Sequence, residues 1–105
     1  WSPWASVRVQ VSWTPPAAPT VTLTPDPEDA ALDVAVINPA PTGDEPTVSY
    51  NDVWLSAAGV PEYRAATLVA PSSTWRFWTP QAGLDYTARV VAVASYGTTA
   101  DTTAS

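Results

Sequence analysis

The sequence predicts an all-β protein, a seven-stranded antiparallel β-sandwich, and three observations carry that prediction. Short runs alternate apolar and polar residues with a period of two, the pattern of strands buried on one face. The 105 residues are rich in Thr, Val and Pro; the first two favour strands, and Pro is confined to edges and turns. No window shows an apolar helical period with caps, while turn clusters separate the runs at sandwich-like spacing.

The chain opens with alternation over residues 7–13, where Val7, Val9, Val11 and Trp13 share one parity and Arg8, Gln10 and Ser12 the other. Thr-Pro-Pro-Ala-Ala-Pro at 14–19 breaks the run, and such segments act as semi-rigid spacers. The expected organisation is a terminal strand of a preceding similar module over 1–14, a Pro-rich linker over 15–19, and one domain over 20–105. A start at Trp1 instead of Met fits a fragment or a processed product.

Within the domain, residues 20–24 form the first strand, with Val21 and Leu23 on one face and Pro25 as its expected end. Residues 31–37 form the second, with Leu32, Val34 and Val36 inward. After a polar loop over 38–46, the third strand over 47–55 changes phase. Val48 and Tyr50 share a parity, Val53 and Leu55 carry the other, and a bulge near Asn51-Asp52 would reconcile them. A turn over 57–61 leads to a strand over 63–69, and a loop over 70–73 to an aromatic strand over 74–78 whose inward face the pattern leaves open. The run between Gly83 and Gly97 reads as one long strand, with Tyr86, Ala88, Val90, Ala92 and Ala94 on one parity. Its small inward residues leave room that Trp75, Phe77 and Trp78 are placed to fill. A Thr-rich strand over 98–105 completes the seven.

Composition excludes several functions. With no Cys, His or Met, the chain offers neither disulfides nor thiolate metal sites, and the commonest general base is missing. Ten acids against four Arg and no Lys give a net charge of −6, the wrong sign for nucleic acid or for anionic membranes. No apolar run approaches the roughly 18 residues of a spanning helix, so no membrane insertion is expected. The loop Asp26-Pro27-Glu28-Asp29 holds oxygen ligands, but its spacing fits no calcium motif, and a solvated turn is the expectation there and at Asp44-Glu45. Paired carboxylates for glycoside hydrolysis need a cleft that these loop acids lack. The expectation is a protein with no enzymatic activity, no metal and no cofactor.

The residues from about Pro19 onward resemble a fibronectin type III domain. The family pattern of a Tyr, apolar residues at alternate positions, an Ala and a Gly falls on Tyr86, Ala88, Val90, Ala92 and Gly97. Leu84 before Tyr86 is similar to the family's tyrosine corner, in which the Tyr hydroxyl bonds to upstream backbone. The Leu32, Val34, Val36 and Pro39 spacing resembles the second strand, although the family's usual Trp there is replaced by Val36. The turn Pro80-Gln81-Ala82-Gly83 also departs from the common form. The resemblance implies the sandwich fold and a structural role for Tyr86 and Leu84. The integrin-binding loop of some animal members is not present.

A narrower set of residues resembles fibronectin-type modules in the minor tail and tail-tip proteins of phages infecting actinobacteria. It comprises Asn51-Asp52-Val53-Trp54, the aromatic fifth strand, the Pro80–Gly83–Tyr86 spacing, and the opening Trp1-Ser2-Pro3-Trp4-Ala5-Ser6 with its Pro-rich continuation. That resemblance implies a virion location and a spacer or host-contact role, with other modules of the same polypeptide and neighbouring tail subunits as partners. Host cell-surface glycans are a further candidate partner, because exposed aromatics stack on sugars; Trp54, Tyr63, Trp78 and Tyr96 are the candidates for sugar or subunit contact. Trp13, Pro15 and Pro16 are expected at an inter-module joint. The alternatives are an accessory module of a secreted polysaccharide-degrading enzyme and a carbohydrate-binding module acting through exposed Trp.

Overall fold

The computed structural model describes residues 13–78 and 80–105. They form a β-sandwich of two antiparallel sheets, built from β1 (Thr20–Asp26), β2 (Ala31–Ile37), β3 (Val48–Ala57), β4 (Val60–Val69), β5 (Ser72–Trp78), β6 (Thr87–Ala94) and β7 (Thr99–Ala104). One sheet has the order β1-β2-β5 and the other β4-β3-β6-β7. The predicted strand over 7–13 lies outside the described residues except for Trp13, as does the opening Trp1-Ser2-Pro3-Trp4-Ala5-Ser6 segment.

The alternation read from the sequence becomes the core. Leu32, Val34 and Val36 of β2 are buried, as are Val53 and Leu55 of β3 and Ala88, Val90, Ala92 and Ala94 of β6. The period-two pattern thus places one face of each sheet against the other, where burying a Val or Leu side chain contributes about 1.5–3 kcal/mol. Trp75 and Phe77 of β5 pack against this cluster, with ring centroids 5.8 Å apart. They take the room left by the small residues of β6. Trp78 does not join them: its parity is outward and it is 58% exposed.

Several boundaries differ from expectation. Pro25 does not end β1; it pairs with Leu32, and the strand continues to Asp26. Being on an edge strand, Pro25 costs no ladder bond on its open side. The phase change in β3 is not at Asn51-Asp52, which pairs in regular register. The shift against β6 lies between Val48 and Tyr50, and two further ones against β4 lie between Val53 and Trp54 and between Leu55 and Ala57. The reason is Asn51, which takes an inward position with no exposure, so that Asn51, Val53 and Leu55 face the core and Tyr50 faces out. β4 and β5 both begin earlier than predicted, because a two-residue turn at Ala58-Gly59 and a short link at Ala70-Pro71 suffice. Gly59 takes φ +77°, a conformation open to glycine. The long run between Gly83 and Gly97 is strand only from Thr87 to Ala94.

This topology gives the sandwich two poles. β1 starts at Thr20 opposite Ile37, at the pole that carries the 38–47, 70–71 and 95–98 connections. β7 ends at Ala104 opposite Ala88, at the pole that carries the 27–30, 58–59 and 80–86 connections. The first is called proximal below and the second distal.

Candidate functional site

At the proximal pole two tight turns meet the Pro-rich segment. Ser95 to Thr98 closes with a 3.2 Å hydrogen bond from the Thr98 N–H to the Ser95 carbonyl, to which the Thr98 hydroxyl also donates at 2.9 Å. Tyr96 (φ +61°, ψ +23°) and Gly97 (φ +72°) are both left-handed, as in a type I′ turn. Such turns normally place Asn, Asp or Gly at the first of these positions, and an aromatic residue there costs about 1–2 kcal/mol. The Tyr96 ring stands 79% exposed and stacks on Trp13, with centroids 4.4 Å apart and planes 12° from parallel. An aromatic pair contributes about 0.5–1.5 kcal/mol, so the stack roughly offsets the backbone strain.

The second turn is Thr42 to Glu45. The Glu45 N–H donates to the Thr42 carbonyl at 3.1 Å, and the Glu45 carboxylate accepts from the Thr42 N–H at 2.9 Å and from its hydroxyl at 2.7 Å. Those bonds, the backbone one first, hold the Glu45 carboxyl below its usual pKa. The turn sets Asp44 beside the aromatic pair. Trp13, Tyr96, Asp44, Pro46, Ser95 and Thr98 line an open pocket of about 310 Å³. Pro16 is buried and Pro15 exposed, so only one of the two anchors the Pro-rich segment to the sandwich.

Beneath this pole Asn38 and Asn51 exchange two hydrogen bonds of 2.8 Å between their side-chain amides, and both are buried. The Asn38 N–H also donates to the Pro71 carbonyl at 2.7 Å. The pair ties the start of the 38–47 loop to β3 and to the β4–β5 link. Sequence reasoning missed it; the one signal is a polar residue at the position where the inward parity of β3 demands an apolar one.

The remaining candidate aromatics are spread over the sandwich. Trp54 lies on the outside of the four-stranded sheet, half-buried, with the Arg89 guanidinium 5.5 Å from its ring. Arg89 donates to both oxygens of Glu62 at 2.8 and 3.1 Å, with Asp101 3.9 Å away. The hydrogen bond from Arg89 holds the Glu62 carboxyl below its ordinary pKa. Tyr63 sits opposite Leu55 on edge strand β4 and is 41% exposed.

Trp78 lies on the outside of the other sheet, with the Arg76 guanidinium 5.0 Å from its ring. Arg76 binds Asp33 through Nε at 2.7 Å and Nη2 at 3.0 Å, Asp26 through Nη2 at 3.0 Å, and Asp29 through Nη1 at 3.0 Å. The hydrogen bond from Arg76 lowers the Asp33 pKa, and those carboxylates, Asp33 and then Asp29 foremost, raise that of Arg76. The acidic loop is therefore not simply solvated: two of its three carboxylates close on an arginine from β5. Among the described residues, no group of three or more His, Cys, Asp or Glu is placed to hold a metal ion.

At the distal pole the Tyr86 hydroxyl accepts a 2.8 Å hydrogen bond from the Gln81 N–H, and the Tyr86 ring meets Phe77 edge-on at 5.5 Å. The Leu84 N–H donates to the Gln81 carbonyl at 3.4 Å. These contacts fold the 80–86 loop back on the sandwich and form one wall of an open groove of about 880 Å³. The other wall comes from Leu23, Pro25 and Leu32. The ring of Tyr86 serves packing, and its hydroxyl oxygen anchors the loop.

The structure thus brings Trp13 and Tyr96 together, sets Tyr86 and Leu84 at the opposite pole, and leaves Trp54, Tyr63 and Trp78 apart from one another. No helix among the described residues is long and apolar enough to cross a membrane. No family model, curated protein or solved structure matches this chain.

Proposed function

We propose that the chain is a non-catalytic structural module of a phage tail, within a minor tail or tail-tip protein, that acts as a spacer or host-surface contact. The observation that carries this reading is the course of the chain: it reaches β1 at the proximal pole and leaves β7 at the distal one. Modules so built transmit the chain from end to end and can be joined in series, each adding its own length. The Trp13–Tyr96 stack and the burial of Pro16 support a stiff joint, since they hold the Pro-rich segment against the sandwich. The sheet order and the Tyr86 bond to upstream backbone agree with the fibronectin type III resemblance. The tail location rests on the narrower resemblance alone.

The serial role is tested with two copies of residues 13–105 joined directly, so that the second copy's own Trp13–Pro19 forms the joint. Labelled at their outer poles, they should give a narrow distance distribution that broadens when the second copy's Pro15 and Pro16 become Gly. A broad distribution for the native joint would refute the spacer. Labelling intact particles with an antibody against the module tests the location, and a catalytic domain adjoining it in the parent polypeptide would favour the secreted-enzyme alternative.

A further inference from the structure

From the proximal pole we infer a saccharide subsite: the pocket between Tyr96, Trp13 and Asp44 takes a neutral hexopyranose unit of a surface polysaccharide. The inference rests on the host-contact part of the proposed function and names its ligand class. Its test uses the single chain and free sugars, so its failure leaves the serial spacer standing.

Three features converge there. The first is the ring. A pyranose offers a face of axial C–H groups, and an exposed aromatic ring is the surface that such a face packs on. Among the described residues Tyr96 is the most exposed of the large apolar side chains, at 79%, even with Trp13 stacked against it. Trp13 backs the ring and holds it in one orientation. The second is the polar edge. Asp44, Ser95 and Thr98 line the same pocket and offer a carboxylate, the Ser95 hydroxyl and the Thr98 hydroxyl oxygen as an acceptor, since its proton goes to the Ser95 carbonyl; such groups engage equatorial sugar hydroxyls. A volume of about 310 Å³ lies at the small end of the ligand-pocket range, which starts near 300 Å³. The third is the backbone. Tyr96 holds a left-handed conformation that Asn or Gly would adopt more readily. Local rules are broken most often at functional sites.

The other aromatics do not make such a site. Arg89 lies over the half-buried Trp54, Arg76 lies against Trp78, and Tyr63 adjoins neither pocket. The larger distal groove offers no exposed aromatic face, because Tyr86 in its wall is half-buried against Phe77. The ligand is neutral because Asp44 faces the pocket and Glu45 stands next to it; a uronic acid would meet like charge.

Amide chemical shifts of the ¹⁵N-labelled chain test this. Glucose, galactose, N-acetylglucosamine and their oligosaccharides are titrated to millimolar concentration, with glucuronate as control. At least one neutral sugar should produce saturable shifts confined to Asp44 and Ser95–Thr98, and glucuronate none. Tyr96→Asn, which suits the turn, should keep the spectrum folded and weaken binding about tenfold or more; Asp44→Asn should weaken it by about tenfold, the scale of one lost charge-assisted hydrogen bond. The inference is overturned by the absence of shifts with every neutral sugar, by equal binding of glucuronate, or by unchanged affinity in Tyr96→Asn.

Discussion

Asn51 occupies a fully buried, inward position on β3 and is satisfied there by one partner, Asn38. Removing one amide strands the other in a dry site, at a cost of about 1–3 kcal/mol. Asn51→Ala should therefore lower the denaturant midpoint, Asn38→Ala likewise, and the double variant by less than the sum of the two. Additive losses in that cycle would show that the amides do not act as a pair. At the distal pole, Tyr86→Phe removes one hydrogen bond while keeping the ring against Phe77, and a loss of about 0.5–1.5 kcal/mol is expected by chemical denaturation. An unchanged midpoint would mean that the bond to Gln81 adds nothing. These two residues also differ in how far they can be read from sequence. Tyr86 and Gln81 are five positions apart, across a turn marked by Pro80 and Gly83, so their approach is a local matter. Asn38 and Asn51 meet only because a whole loop folds over the proximal pole, and nothing in the local pattern announces it.

Among the elements, the outer faces are organised by two arginines on strands of opposite sheets. Arg76 reaches Asp33 on the neighbouring strand and Asp26 and Asp29 beyond it, while Arg89 reaches across β3 to Glu62 over the ring of Trp54. The folded-state pKa values of Asp33 and Glu62 are depressed by these hydrogen bonds. Their stabilisation is thus fully present above the ordinary carboxylate range and is lost as pH falls below about 4. Thermal melts of Arg76→Met and the parent should therefore differ most near neutral pH and converge in acid. A difference that persists unchanged at low pH would assign the effect of Arg76 to packing on Trp78. The β6–β7 turn sets a second test. Tyr96→Asn relieves about 1–2 kcal/mol of backbone strain and forfeits a stack of about 0.5–1.5 kcal/mol. The midpoint should move little, and a large loss would show that the stack outweighs the strain.

Over the whole molecule, the sandwich depends on a small core. Among the described residues, six side chains, Val34, Val36, Val53, Leu55, Val90 and Asn51, are the largest with essentially no exposure. Trp75 and Phe77 close the space beside them. Leu55→Ala should cost about 2–5 kcal/mol by equilibrium unfolding, a large share of the roughly 5–15 kcal/mol that holds a typical domain folded. Retention of the parent's stability would mean that the core collapses to fill the cavity. By itself, the sequence determined the fold class, the inward parity of β2 and β6 and the order of seven strands. Alternation is a property of neighbouring residues, and it dictates which face is buried before any partner is chosen. The tertiary structure decided the rest: the bulge at Ser49 instead of Asn51-Asp52, Trp75 and Phe77 inside with Trp78 outside, three aspartates on Arg76, and Trp13 on Tyr96. Each of these joins residues far apart in the chain, and such contacts follow from strand register and sheet order, which no local pattern encodes.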